Sequence, residues 1–469
     1  MEPRTLQYLA RACGGNLPPF ASEILATGIS TDSRRTRPGD LFVALAGETF
    51  DGHDFIEPAL KAGARALLLD ASRQKEAEGS CPVITVPNTR PALGLIAAAY
   101  RADFTPAVIA VGGSNGKTTT KELVASILAT RWPVVWSEAS FNNDIGVPLT
   151  LLRIERHHQA AVLEVGTNRP GELAPLLRAI RPRFGVITNI GREHLEFFKN
   201  LEGVAQEEGS MAEVLSQNGV LFLHGDSPWA DSIASRARAR IVRVGLGPRN
   251  DWQASALRLT AKGMEFAVQA PTQAWGGQYH VPLLGKHQVL NALFALAVAG
   301  ENHFTRNEMQ AGLAACPTPK MRLQLKWTDR VGWLNDAYNS NPDSMGPAFE
   351  TLSNLPCAGQ RYAVIGDMLE LGPFTEAAHI EAGQTAAATG IDGLWTVGRW
   401  AESTARAARE AGLVRVTECR DAQETAAALD DALKPGDIVL LKASRGTRLE
   451  TVEEFWTKLR GRQLSAPAK

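Results

Sequence analysis

From about residue 105 to 315, short apolar runs recur between longer stretches of helical periodicity. The runs are "AVIAVGG", "PVVWS", "QAAVLEVG", "RFGVITNIG", "GVLFLHGD" and "ARIVRVGL". Apolar runs of this length, spaced by helical segments, predict a doubly wound and mostly parallel sheet. Residues 252–283 break the rhythm: "WQASALRLTAKGMEFAVQA" reads as a hairpin turning near Lys262 and Gly263, and "HQVLNALFALAVAG" as a helix after it. Residues 1 to about 100 carry shorter strands, "GDLFVALAG", "ARALLLD" and "CPVITVP", with helical segments such as "FIEPALKAGA" between them. After "CPTPKMRLQ" the rhythm restarts with "GWLNDAY", "QRYAVIGD", "GLWTVG" and "DIVLLKAS". The pattern predicts an α/β chain of three domains: 1–104, 105–316 and 317–469. The tail "GRQLSAPAK" reads as frayed, and the Ala/Arg-rich "DSIASRARAR" as a solvated helix.

Composition narrows the function classes. At 469 residues, with 44% hydrophobic and 21% charged positions, the chain reads as an ordinary soluble globular protein. With a net charge of -1, nothing suggests sequence-independent nucleic-acid binding, which needs a basic face. The 5 cysteines are scattered without a C-x-x-C pair, which fits a reducing compartment and speaks against a disulfide or zinc framework. The N-terminal segment lacks a basic stretch followed by an apolar one, and no run is long enough for a membrane span, so a cytoplasmic protein is expected.

The chemistry is concentrated at "AVGGSNGKTTTKE", where a buried strand passes through a Gly-rich turn into a helix. Such a turn presents backbone N–H groups and a positive helix end to phosphate. Lys117 adds a full charge, and Thr118 a hydroxyl suited to Mg²⁺. Val111 stands where the common motif has its first Gly, so the loop is about one residue short. Its bland reading, a Gly-rich turn with a surface lysine, leaves the strand, the three threonines and the helix unexplained. Two further strands end where a ligand of such a sheet would sit. Glu164 stands at the tip of "QAAVLEVG", where a bare carboxylate is costly without a cation. His194 follows the strand "FGVITNIG". A capping or surface carboxylate and an ordinary loop histidine are the alternatives, but beside a phosphate loop both suit metal ligation. Histidine is an unusual Mg²⁺ ligand.

Seven segments, in order along nearly the whole chain, carry a resemblance: "GSNGKTTTKE", "LEVGTNRPGE", "TNIGREHLE", "GKHQVLNALFA", "NDAYNSNPDSM", "VIGDMLELG" and "LLKASRGTRLE". They resemble the Mur ligases of peptidoglycan synthesis. The phosphate loop alone is shared with folylpolyglutamate synthetases. "NSNPDSM" with "GDMLELG" is similar to the branch that adds D-alanyl-D-alanine, and the D-N-P-R stretch of the diaminopimelate-adding branch is absent.

The resemblance implies a UDP-binding first domain, a central ATPase domain and a mobile third domain. It implies ATP and Mg²⁺ as cofactors, and UDP-N-acetylmuramoyl-tripeptide and D-alanyl-D-alanine as substrates, joined through an acyl phosphate by an enzyme expected to be monomeric. Residue by residue, it carries Gly113, Ser114, Asn115, Gly116, Lys117, Thr118 and Thr119 over as the phosphate loop, with Thr118, Glu164 and His194 on the metal. Asn142 and Asn143 would face the reacting phosphate, and Asn291 the adenine. Arg322 and Asp336 would close on the nucleotide from the third domain. Ser33 and Arg34 match the uridine-diphosphate site, although Asp-Ser also makes a good turn. Lys442, Ser444 and Arg445 match a substrate-end or closure motif. The chain departs from the family at Ser140 and Gln288, and at "EGVAQEEG", where the family's carbamylated lysine is replaced by Glu208. A carboxylate would supply the same anionic oxygen directly, and the alternative is a solvated helix residue. A different Mur-type amide ligase and a nucleotide-binding module without ligase chemistry are the competing readings.

Overall fold

The computed structural model describes residues 1–465 except Glu48 and Glu78. Three parallel or mostly parallel sheets follow one another along the chain. The first has four strands, in the order Gly28–Ser30, Asp40–Val43, Ala66–Asp70 and Val83–Val86, all parallel. Helix Leu6–Cys13 starts at Thr5, whose side chain accepts from the Tyr8 N–H, and stops at Gly14 in the left-handed conformation. This helix and Thr89–Ala102 bury their apolar faces in a core shared with the central sheet. Arg90 on the second helix pairs with Asp144 of the central unit at 2.5 Å.

The central sheet has nine strands. From one edge they run Val134–Trp136, Ala160–Glu164, Ala107–Gly112, Phe184–Ile187, Val220–His224, Arg240–Gly245, Trp252–Thr260, Gly263–Gln269 and Gly277–Val281. Only the last two pairings are antiparallel. They include the expected hairpin, in which Thr260 pairs with Gly263. Ala107–Gly112 is buried on both faces, which is why it reads as an unbroken apolar run. Chain direction through the sheet reverses at this strand, with 160–164 on one side and 184–187 on the other. The crevice beyond the carboxyl end of such a switch point is where doubly wound sheets bind ligands. Helix His287–Glu301 is apolar nearly all round because it lies between the sheet and helix Lys117–Leu128.

The third sheet has six strands: Gln324–Thr328, Val331–Asn335, Ile438–Lys442, Arg361–Ile365, Gly393–Val397 and Val416–Cys419. Asn335 pairs with Leu441, which brings the next residues of the two strands, Asp336 and Lys442, side by side at the carboxyl ends. Two sequence expectations change. "DSIASRARAR" is helical only over Ala230–Ala234, and Arg236 bonds Glu213 and two backbone carbonyls instead of extending into solvent. The final helix takes in "GRQLS", which the sequence reads as part of the tail, and 466–469 lie outside the described residues.

Candidate active site

The turn after Ala107–Gly112 is held open from beneath. Gly113 (φ 104°) and Gly116 (φ 83°) take left-handed backbone that other residues adopt only under strain. A Cβ on Gly116 would stand 2.4 Å from the Asn291 amide oxygen. Thr188 donates its hydroxyl to the Asn115 carbonyl at 2.6 Å, and Asn189 accepts from the Asn115 N–H at 2.8 Å. Lys117, the first residue of its helix, folds back to donate to the Gly113 and Ser114 carbonyls at 2.5 and 3.1 Å and to Glu193 at 3.3 Å. Burial by itself would lower the Lys117 pKa, but Glu193, Glu208 and Glu164 together hold it above its ordinary value.

Around this lysine lies a cavity of 570 Å³ with walls from both the central and third sheets. Ser114–Thr119, Asn142, Glu164, His194 and Asn291 line it from one side, and Arg322, Asp336 and Lys442 from the other. Glu164 is 1% exposed; one carboxylate oxygen accepts from Asn142 at 2.9 Å and the other is buried without a partner. Glu208, equally buried, accepts from the Gly113 N–H at 2.7 Å, and its second oxygen is likewise unpartnered. Burial pushes the Glu208 carboxyl up to about 8 against the pull of Lys117. Two orphaned carboxylate oxygens under a phosphate loop suit a hard divalent cation, so these residues fit Mg²⁺. The full ligand set is not gathered: no three His, Cys, Asp or Glu side chains converge among the described residues. His194 has left-handed backbone (φ 48°), and its Nδ1 lies 2.6 Å from Glu370 of the third domain. That contact holds Glu370 below the usual carboxylate range.

Other sequence-selected residues are placed as follows. Asn291 accepts from Thr120 at 3.2 Å and donates to Gln288 at 2.9 Å, so the departure at 288 keeps a hydrogen bond to the adenine candidate. Arg322 stacks 4.3 Å from the Tyr338 ring centroid. Lys442, 1% exposed, donates to Asp336 at 2.7 Å and lines the large cavity. Ser444 and Arg445 line a second cavity of 310 Å³ with Leu369, Glu370 and Leu371. Asn143 departs from expectation: it does not line the cavity, and its side chain caps helix Gly146–Leu151 by accepting from Ile145 and Gly146. Ser33 and Arg34 also lie outside both cavities, with Arg34 folded onto Asp32 at 2.8 Å. Sequence reasoning missed Glu193, Tyr338 and Asn341, although all three stand inside quoted motifs. It also missed Lys121, fully buried, which donates to Glu122 and to the Ser137 and Ala139 carbonyls at 2.8 Å each, anchoring the segment before Asn142.

Family models match three successive segments: the Mur ligase family catalytic domain at 26–101, the Mur ligase middle domain at 111–299, and the Mur ligase glutamate ligase domain at 321–445. The chain belongs to the Mur ligase family. Among Mur ligases, it is 35% identical over 455 residues to the UDP-N-acetylmuramoyl-tripeptide–D-alanyl-D-alanine ligase of Bacillus subtilis, covering 96% of this chain and 98% of that one. It is 36% identical over 458 residues to the enzyme of the same name from Escherichia coli, covering 96% and 97%. MurF from Acinetobacter baumannii superposes with a TM-score of 0.88 at 28% identity over 98% of this chain and 99% of its own. The MurF ligase of Thermotoga maritima, solved in complex with ADP, gives 0.80 at 26% identity over 93% and 98%.

Proposed function

We propose that this Mur ligase joins D-alanyl-D-alanine to the terminal carboxylate of UDP-N-acetylmuramoyl-tripeptide, with ATP converted to ADP and phosphate. The observation that carries the reading is the junction of the two cavities. Glu193, His194 and Tyr338–Asn341 line both, so a phosphate donor in one and an amine in the other would meet at a shared wall. The names of the Bacillus subtilis and Escherichia coli relatives support the two substrates, and the ADP-bound Thermotoga maritima ligase supports the nucleotide.

The chemistry follows from the geometry. A carboxylate resists attack by an amine until one oxygen becomes a good leaving group, and phosphorylation by ATP makes it one. Lys117 offsets the charge that gathers as the γ-phosphoryl group moves. Thr118, Glu164 and Glu208 are the residues we assign to Mg²⁺, with His194 nearby. The ion, when bound, would supply further positive charge to the phosphate oxygens. Asn142 orients Glu164 by its hydrogen bond to one carboxylate oxygen. Asn291 is assigned to the adenine, and Arg322 and Asp336 to the nucleotide from the closing side. The amine attacks the acyl carbon, phosphate leaves with the electron pair of the broken bond, and the amine proton passes to solvent or a neighbouring base. Arg445 and Ser444, with the apolar Leu369 and Leu371, would receive the dipeptide's carboxylate and methyl groups. Ser33 and Arg34 are kept as candidates for the diphosphate in the first domain.

The three units are taken to meet near 104 and 316. A monomer acting in the cytoplasm, where ATP is supplied, fits this reading; among the described residues no helix is long and apolar enough to cross a membrane. The test is phosphate release from ATP with the UDP-linked tripeptide and a panel of amines. Release dependent on D-alanyl-D-alanine supports the assignment. Dependence on a single amino acid would shift it to another Mur-type ligase, and release without any amine would remove the ligase chemistry.

A further inference from the structure

Gly191, Arg192 and Glu193 are consecutive, yet the outer two hold the loop at 113–117 while the middle one holds the third domain. Gly191 exchanges two hydrogen bonds with Ser114 of the phosphate loop: its N–H donates to the hydroxyl at 2.8 Å, and its carbonyl accepts from it at 3.2 Å. Glu193 pairs with Lys117. Between them, Arg192 turns to the third domain. Its N–H and Nε donate to the two oxygens of Asp343 at 2.6 and 2.7 Å, and its two terminal nitrogens donate to the two oxygens of Glu381 at 2.7 and 2.8 Å. Asp343 lies in the first turn of helix Pro342–Asn354, and Glu381 on helix Thr375–Ala388, so one guanidinium ties two third-domain helices to the phosphate loop. Asn341, the cap of the first helix, adds a bond to Asn115 of the loop at 2.9 Å. The ionic partners remain reachable by water, with side chains 32%, 33% and 48% exposed, so the contacts can break and reform without unfolding a core.

We propose that Arg192 is a positioning residue, the latch through which third-domain closure and filling of the phosphate loop favour one another. The inference rests on the assignment of that loop to ATP. A ligand that orders 113–117 also orders 191–193 through Ser114 and Lys117, and Arg192 then stands ready for Asp343 and Glu381. By linkage, the closed third domain must tighten nucleotide binding by the same factor. The planar fork of arginine suits two carboxylates at once, which a lysine's point charge does not.

The test measures binding of a non-hydrolysable β,γ-imido ATP analogue with Mg²⁺ by calorimetry, and closure by small-angle scattering, on full-length Arg192→Ala, Arg192→Lys, Glu381→Ala and the Ala double variant. Arg192→Ala is expected to bind the analogue roughly fivefold to tenfold more weakly and to lose the compaction expected of the wild type, with UDP-substrate affinity unchanged. Arg192→Lys should recover part of both. The Arg192→Ala/Glu381→Ala pair should be no worse than Arg192→Ala, because the two act through one contact. Arg192→Ala that binds and compacts like the wild type overturns the latch, as does a double variant whose losses add in full. A wild-type protein that fails to bind the analogue overturns the ATP assignment and the latch together.

Discussion

Replacing Lys117 by Met tests the site at its centre. The methionine keeps most of the volume and removes only the ammonium. In the wild type that charge faces Glu193 at 3.3 Å, with Glu164 and Glu208 close enough to help hold it protonated. Without it, Glu193, Glu164 and Glu208 meet an incoming triphosphate with the ammonium that faces them gone. One unit pair at about 4 Å and an effective dielectric near 20 is worth roughly 4 kcal/mol. Loss of even one neutral preorganised hydrogen-bond donor in other enzymes lowers kcat by about 10²–10³. The expected outcome is therefore ligation reduced at least a hundredfold. Affinity for the UDP-linked substrate should hold within about a factor of two, since every Lys117 contact lies in the central domain. Phosphate release gives kcat, calorimetry gives the UDP-substrate affinity, and thermal unfolding checks the fold. A variant retaining a tenth of the wild-type kcat would refute the role of Lys117. Parallel loss of UDP-substrate binding in a folded variant would refute the separation of the two sites.

Glu208→Gln removes a carboxyl whose second oxygen has no protein partner and which a bound cation would draw into its ionised form, so the Mg²⁺ concentration for half-maximal activity should rise severalfold. Added bicarbonate should change neither protein. Glu207→Gln should instead lower thermal stability, because Glu207 accepts from the Gly171 and Leu173 N–H groups at 2.8 Å; equal Mg²⁺ titrations for Glu208→Gln and wild type would count against metal ligation. Gly116→Ala forces left-handed backbone and pushes a methyl against Asn291, and should weaken nucleotide binding about tenfold by calorimetry, a result that wild-type affinity would contradict. His287 is pushed down to about 4, chiefly by burial. The unfolded chain takes up its proton near 6.5 and the folded one only near 4, so this stability is present above 6.5 and drains away as pH falls to 4. Discounted for the ring edge that reaches the cavity, it amounts to about 1–2 kcal/mol. Urea unfolding at pH 7.5 and 5 should show a smaller acid loss in His287→Gln than in wild type, and identical losses would refute it.

The sheets were legible wherever burial on both faces left an unbroken apolar run, as in 107–112 and 160–164. So was the hairpin, whose turn lies at Ala261 and Lys262. The turn proposed for phosphate was legible as a turn because its left-handed glycines and the helix that starts at Lys117 lie within one short segment. The limits came where a side chain's partner lies far along the chain. Asn143 looked like Asn142, but the backbone turns between them, so one reaches Glu164 and the other caps a helix. Glu207 and Glu208 are neighbours on one helix, yet one holds a loop's N–H groups and the other the phosphate turn. Local pattern cannot separate such pairs. Arg192 was quoted within a motif without a role, because Asp343 and Glu381 are 151 and 189 residues away.

The wall shared by the two cavities has a consequence for inhibition. Tyr338, Asn339, Ser340 and Asn341 form one continuous third-domain strip that borders both spaces. A molecule with one arm in each space would have both arms anchored along a few residues of a single backbone. Once the first arm is seated, the second meets its pocket at a high effective concentration and gains affinity without any new kind of contact. Because the opposite wall of the larger space belongs to the central domain, and Glu193 and His194 of that domain also border the smaller one, such a molecule would also act as a wedge or a clamp according to its linker length. A short linker would hold the third domain down on the phosphate loop, and a long one would prop it away.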